Sequence, residues 1–301
     1  MASSSSSNDV IQTTYAGKTA TITLNAPRKL NALGAEDYYQ LGCAMNQVAA
    51  RDDIYITILT GVGRFFSAGA DVSFGSKKDE SSVDEQQTYL KSFVANNLFQ
   101  TNGSIHPSIH PSSTLTTPTQ ITHAFYTHPK ILITALNGPV VGLSAALISF
   151  SDFIYSAPHT FLLTPFSSLG LVTEGNASIG FVRRLGLSKA NEALIMSKRI
   201  SNAELLATGF VNKTFDAGNE REEGFSLRFL GLVEDEVRER LGEHLNAESL
   251  VQIKALIGKR DREALDRQGV QEVMGGLKRF MAGVPQEEFR KIAAGEKKHK
   301  L

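Results

Sequence analysis

Cysteine is nearly absent from this chain of 301 residues, and so is net charge: Cys43 stands alone, and 31 basic side chains balance 31 acidic ones. A single cysteine excludes an intramolecular disulfide, and with it a disulfide-stapled secreted scaffold. Cys43 lies in a helical pattern without an acid–base partner nearby, so it reads as a small buried hydrophobe. Zero net charge argues against nucleic acid or an anionic membrane as the main partner, since both favour a basic surface. A local basic pocket for a phosphorylated ligand stays compatible with it. No run of about 18 apolar residues exists, so no membrane insertion is expected. Met1-Ala2 and the serines from Ser3 to Ser7 offer neither the basic flank nor the apolar core of a signal peptide. A soluble protein that remains inside the cell is expected.

What is present is ordinary for a globular chain. Hydrophobic residues make up 42% and charged residues 21%, enough to bury a full core. Thr19 to Leu24 alternates polar and apolar, as a half-buried strand does. Glu36 to Ala50 has helical spacing, with Leu41, Met45 and Val48 on one face. Strands are expected at Tyr55–Thr60, Ile131–Leu136 and Asp152–Ser156, separated by helical segments. That alternation implies an α/β fold with crossovers and a mixed or parallel sheet. After Ser188 the pattern turns helical, at 189–197, 202–208, 220–241, 247–257 and 270–281. This tail is expected to pack on the α/β body or on a neighbouring subunit.

Ser73 to Gln87 and the Ser-, Thr- and Pro-rich stretch Thr101 to Gln120 read as surface loops, the second as an insertion. His106 and His110 each precede a proline, which disfavours the α region, so the two rings cannot share a helical face. No metal site is expected there.

Two strand-to-helix segments are rich in small residues. The first, Gly61 to Val72, superficially matches a dinucleotide fingerprint, but Phe66 fills the third glycine position and leaves the phosphate cradle incomplete. Its Ser67-Ala68-Gly69-Ala70 turn leaves backbone N–H groups approachable, and Asp71 follows. The second, Leu136 to Ala146, opens a small-residue helix whose first N–H groups have no intrahelical acceptor. Taken singly, each is no more than a tight turn or a closely packed helix.

Together, Phe66-Ser67-Ala68-Gly69-Ala70-Asp71 and Asn137-Gly138-Pro139 resemble the crotonase, or enoyl-CoA hydratase/isomerase, superfamily, over roughly residues 10 to 295. The resemblance implies a spiral of ββα units with a C-terminal helical trimerisation region. Its divisions would be a disordered N-terminus (1–9), a spiral core (10–200), a helical region (201–295) and a targeting tail (296–301). It implies an oxyanion hole for a thioester carbonyl formed by the N–H groups of Ala70 and Leu143. It also places the CoA adenine against Ala68, Gly69, Asp71 and Val72 and against the turn Lys29, Leu30, Asn31, Ala32 and Leu33, with Gly142 and Phe166 lining the acyl-CoA site.

A third segment, Leu163 to Asn176, discriminates within the family. Hydratases carry two glutamates, at positions matching Ala146 and Phe166 here, so hydration is disfavoured. Glu174 instead stands eight residues after Phe166. On residue pattern alone it reads as an acid at a helix start, with Asn176 and Ser178 following. The segment is similar to that of the peroxisomal Δ3,Δ2-enoyl-CoA isomerases of yeasts, which implies that Glu174 is the catalytic base, shuttling a proton from C2 to C4 of a 3-enoyl-CoA (cis or trans) to give the trans-2-enoyl-CoA. Asn97 matches a polar neighbour of the base in that group. Apolar Phe93, Phe166 and Leu169 are expected to raise the base's pKa.

No cofactor is implied, since CoA belongs to the substrate. The resemblance further implies a homotrimer or homohexamer. The C-terminal His299-Lys300-Leu301 is close to the Ser-Lys-Leu address, which implies the peroxisomal import receptor as a partner and the peroxisomal matrix as location. A dienoyl-CoA isomerase, a hydratase with relocated acids and a non-catalytic acyl-CoA-binding protein are the alternatives. For a dienoyl-CoA isomerase, the sequence offers no evident second acid.

Overall fold

The computed structural model describes residues 9–71 and 121–297. Val72, Phe93, Asn97, the loops at 73–87 and 101–120 and the His299-Lys300-Leu301 tail lie outside the described residues.

Six strands form the main sheet: β1 (Ile11–Ala16), β2 (Thr19–Leu24), β3 (Ile56–Gly61), β4 (Ile131–Leu136), β6 (Phe153–Ser156) and β9 (Lys213–Thr214). β1 and β2 pair antiparallel around Gly17, whose φ of +56° suits the tight reversal; every later pairing in the sheet is parallel. A smaller sheet joins β5 (Val140–Val141), β7 (Phe161–Leu163) and β8 (Ile200–Ser201).

Both faces of the main sheet are covered, which is why β3 and β4 are buried at every position rather than at alternate ones. On one face Ala20, Ile22 and Leu24 of β2 meet Leu41, Met45 and Val48 of α1 (Ala35–Ala49), together with α2 (Ile121–Tyr126) and α3 (Gly142–Ile148). On the other, Ile56, Ile58, Ile131 and Ile133 pack against Phe225, Phe229 and Val233 of a long helix, Phe225–Leu241. The sequence prediction had that helix beginning at residue 220; it begins at 225, after Gly224 in the left-handed region. Cys43 is half-buried within α1.

Between the sheets and the C-terminal region lie α4 (Ala177–Leu185), α5 (Leu187–Leu194) and α6 (Asn202–Thr208). The long helix is α7, followed by α8 (Ala247–Lys259), α9 (Arg262–Met281) and α10 (Val284–Ala293). The α/β body with a helical C-terminal region therefore stands as expected, and at least α7 packs on the body itself. Among the described residues, no helix is long and apolar enough to cross a membrane.

Candidate active site

The loops after β3 and β4 are stitched together by one side chain. Asn137 is fully buried; its Oδ1 accepts the Gly61 N–H at 3.1 Å, and its Nδ2 donates to Gly63 O at 2.6 Å and Phe65 O at 3.0 Å. Gly138 beside it admits no side chain, because a Cβ there would stand 2.0 Å from Arg64 O. Pro139 O accepts from Phe66 and Ser67, and Val141 N–H donates to Ser67 O at 2.9 Å. Thus the Asn-Gly-Pro sequence fixes the approach of two loops rather than touching a ligand itself.

The crossing point is Gly69 against Val141 and Gly142. Gly69 has φ +89°, and a Cβ on it would lie 3.1 Å from Val141 O. Gly142, also at positive φ, faces the Gly69 Cα. Ala70 and Leu143 are the next residues along the two loops, so this contact sets them side by side. Among the described residues neither N–H meets an acceptor, and Leu143 lies in the first turn of α3, where no intrahelical acceptor exists. Two unmatched donors converging from separate loops suit an oxygen that gains negative charge.

The turn Pro27–Lys29 and the residues after it lie against the same loop. Leu33 bridges to Ala70, with Leu33 N–H donating to Gly69 O and Asp71 N–H to Leu33 O. Ala68 N–H donates to Leu30 O, and Lys29 reaches Asp71 at 3.2 Å. The Asn31 side chain is fully buried and bonded to Ala26, Val62 and Phe65, so it shapes this turn from within. Lys29 to Leu33, Ala68, Gly69, Ala70, Asp71, Gly142 and Leu143 therefore form one contiguous region, part buried and part exposed; Ala32 shares the turn through its N–H bond to Lys29 O.

Glu174 occupies the loop between a 3-10 turn, Ser167–Leu169, and α4. Its neighbour Gly175 (φ +67°) packs so closely on α3 that a Cβ would lie 2.8 Å from Leu143 Cδ1 and 2.9 Å from Ala146 Cβ. The Glu174 loop is thereby held against the helix that carries the Leu143 N–H. Phe166 is buried beneath the same loop, in the core that also holds Leu143 and Ala146. Although Glu174 keeps some surface exposure, protein surrounds its carboxyl group, and this loss of solvent followed by the charge of Glu272 pushes its pKa up to about 7. Among the described residues no hydrogen-bond donor engages it. The expected rise in basicity is present, with an unforeseen second carboxylate contributing.

Sequence reasoning missed three groups. Glu272 of α9 approaches the Glu174 loop from the C-terminal region, a separation no local spacing reveals. Tyr38 of α1 and Ser144 of α3 form a buried hydroxyl pair, with Glu174 among the charges acting on Tyr38. Tyr38 stands three residues before Leu41, on the inward face of α1, so helical periodicity is the signal that could have found it; nothing local marks its partner. Among the described residues no cluster of three or more His, Cys, Asp or Glu side chains has the arrangement of a metal site.

A family model described as enoyl-CoA hydratase/isomerase matches residues 15–102 and 107–226. The chain belongs to the enoyl-CoA hydratase/isomerase family. Within this family it is 51% identical over 294 residues to the Delta(3,5)-Delta(2,4)-dienoyl-CoA isomerase of Pyricularia oryzae, covering 95% of this chain and 97% of that protein. It is 31% identical to the 3,2-trans-enoyl-CoA isomerase of Saccharomyces cerevisiae, with 98% of each chain covered. Among solved structures, an enoyl-CoA hydratase/isomerase from Pseudoalteromonas atlantica matches with a TM-score of 0.74 at 20% identity, covering 97% of this chain and 100% of the other. That likeness confirms the crotonase fold, including its helical C-terminal region.

Proposed function

We propose that the protein is an enoyl-CoA isomerase that moves the double bond of a 3-enoyl-CoA to C2. The observation carrying this reading is the packing of the Glu174 loop, whose carboxyl is raised to a pKa of about 7, on the helix that carries Leu143, beside two loop N–H groups, Ala70 and Leu143, that meet no acceptor among the described residues. Glu174 takes a proton from C2; the C2–H electron pair moves into conjugation, and charge accumulates on the thioester oxygen. The Ala70 and Leu143 N–H groups stabilise that dienolate, each contributing about 3 kcal/mol by the usual cost of losing such a donor. Glu174 then returns the proton to C4, the C2–C3 double bond forms, and the carboxylate is regenerated. Lys29, Ala32, Leu33, Ala68, Gly69, Asp71 and Val72 are assigned to the CoA portion, and Gly142 and Phe166 to the acyl side. Asn97 is assigned as a polar neighbour of the base.

The absence of acids at Ala146 and Phe166, both buried in the core, supports isomerisation over hydration. A second reading is favoured by the relative from Pyricularia oryzae: conversion of a 3,5-dienoyl-CoA to the 2,4-dienoyl-CoA, with the proton returning at C6 instead of C4. Glu272 does not supply a free second acid for that reaction, because its oxygens are occupied by N–H and O–H donors. We further assign the protein to the peroxisomal matrix through His299-Lys300-Leu301, and to a trimer or hexamer.

The test is to supply 3-enoyl-CoA, 3,5-dienoyl-CoA and 2-enoyl-CoA separately and identify the products. Conjugated 2-enoyl-CoA from the first substrate, abolished in Glu174→Gln, is expected. Full activity of Glu174→Gln would overturn the mechanism. Turnover of only the dienoyl substrate would select the second reading, and 3-hydroxyacyl-CoA from 2-enoyl-CoA would indicate a hydratase.

A further inference from the structure

Resting on the assignment of Glu174 as the base, we infer that Glu272 is a positioning residue that clamps the base's loop from the C-terminal helical region. Its side chain is buried, at 6% exposure, and both oxygens are used on the residues flanking Glu174. Oε2 accepts the Asn176 N–H at 2.7 Å; Oε1 accepts the Ser178 N–H at 3.1 Å and the Ser178 hydroxyl. Thr173, immediately before Glu174, bonds to the same carboxylate. One side chain therefore grips the chain on both sides of the base.

The grip replaces something α4 lacks. Asn176, the residue before its first turn, makes no side-chain cap of its own; its Nδ2 donates instead to Leu265 O on α9. Glu272 supplies the acceptor that the first N–H groups of α4 require, from 96 residues further along the chain. An anion at this end of the helix is also favoured by the helix dipole.

The remainder of the loop follows the same two helices. Arg279 Nε donates to Gly170 O at 2.8 Å, and Gly275 leaves room for Val172. Val284 of α10 occupies the space a side chain on Gly170 would take. Gln268 donates to the Ser178 hydroxyl at 2.9 Å, fixing the direction in which that hydroxyl donates to Glu272. So the loop has the geometry that α9 and α10 impose on it.

The charged and titratable groups facing this loop can be named. Glu272 from α9 and Tyr38 from α1 face Glu174 itself. Arg279, Glu288 and Lys297 reach the loop's other end, around Ser168 and Gly170, where Glu288 is paired with Lys291 and Lys297. Removing the Glu272 charge therefore leaves Glu174 without its only nearby carboxylate among the described residues, and makes it a weaker base.

The experiment compares wild type, Glu272→Gln, Glu272→Asp and Glu174→Gln in the full chain, recording kcat, KM and the pH profile of kcat alongside thermal melting. Glu272→Gln places an amide NH2 against N–H donors, so kcat is expected to fall about 10- to 100-fold, as small misplacements of a catalytic group do. KM should stay within about twofold, as the recorded bonds of Glu272 go to Thr173, Asn176 and Ser178 and to none of the residues assigned to the CoA portion. In the folded fraction the acid limb of the kcat profile should move to lower pH, and Glu272→Asp should recover part of kcat and of the profile. A folded Glu272→Gln with wild-type kcat and profile would overturn the inference. So would an activity loss that merely tracks the unfolded fraction with an unchanged profile. If instead Glu174→Gln keeps full activity, the assignment of the base itself has failed, whatever Glu272 does.

Discussion

A β-carbon on Gly175 would lie 2.9 Å from the Cβ of Ala146. Contact that close ties the Glu174 loop to α3, and it exists only because one residue has no side chain and the other has a single methyl. Gly175→Ala should therefore push the loop off Leu143 and Ala146 while also straining a positive φ. A loss of about 2–3 kcal/mol in stability is expected, combining strain with overpacking, together with a marked fall in kcat. Gly209→Ala is the comparison: its φ of +77° lies in the left-handed region but nothing lies within 4 Å. It should lose only the backbone component, about 1 kcal/mol, and retain turnover. Equal losses of stability and activity in the two variants would contradict this account.

The same contact forbids a simple conversion to a hydratase. Ala146 is fully buried and directed at Gly175. Ala146→Glu, which restores an acid at the family's hydratase position, brings a carboxyl group into packed apolar surroundings. We expect destabilisation of about 3 kcal/mol or more, measured by denaturant unfolding, and no 3-hydroxyacyl-CoA from 2-enoyl-CoA. Hydration by a stably folded Ala146→Glu variant would show that the space is larger than the contact implies.

The pKa of Glu174, raised to about 7, has two consequences with opposite signs. For catalysis the carboxylate must be ionised, so kcat should climb with pH through about 7 and level off above it. For stability the direction reverses. The folded state holds the proton more tightly than the unfolded state, whose carboxyl titrates near its ordinary value, so stability falls as pH rises from about 4.5 to about 7. Glu174→Gln is free of that penalty. It should melt at a higher temperature than wild type at pH 8, with the difference closing by pH 4. A variant less stable than wild type at pH 8 would show that Glu174 is stabilised, not strained, in its ionised form.

Much of the fold was legible because its signals are local. The alternation in Thr19–Leu24 and the β-branched run Ile131–Leu136 marked strands at those positions. The turn residues at the oxyanion loops were visible as a pair of motifs, although what requires Gly138 and Gly69 is distant in sequence: Arg64 and Val141, each on the opposite loop. The start of α4 was legible only as a helix start near Glu174 with a local cap, whereas its N–H groups are in fact met by Glu272. Strand β1, Ile11–Ala16, is half-buried to exposed and has no alternation to reveal it; pairing with β2 makes it a strand. Glu272 itself sits in a helix rich in charge, where one more glutamate looks solvated until the packing of α9 on the base's loop is known.

A buried hydroxyl chain behind the paired N–H groups carries a defined direction. Ser67 Oγ donates to Asn31 O at 2.9 Å, which commits its single proton. Ser144 Oγ donates to Ser67 Oγ at 3.0 Å, committing the next, so the 3.0 Å contact between Tyr38 and Ser144 must have the tyrosine as donor. Ser67 Oγ also accepts the Gly69 N–H at 3.1 Å, one residue before Ala70, while Ser144 is one residue after Leu143. Ser144→Ala deprives the Tyr38 hydroxyl of its acceptor inside the core and should cost about 1–3 kcal/mol. Tyr38→Phe removes a donor but leaves Ser144 bonded to Ser67, so it should cost less, about 1 kcal/mol. Because the first substitution's penalty is chiefly the stranded tyrosine proton, the double variant should be more stable than the sum of the two losses predicts. Additive losses in denaturant unfolding would mean that the tyrosine finds another acceptor, and that the chain does not run in this direction.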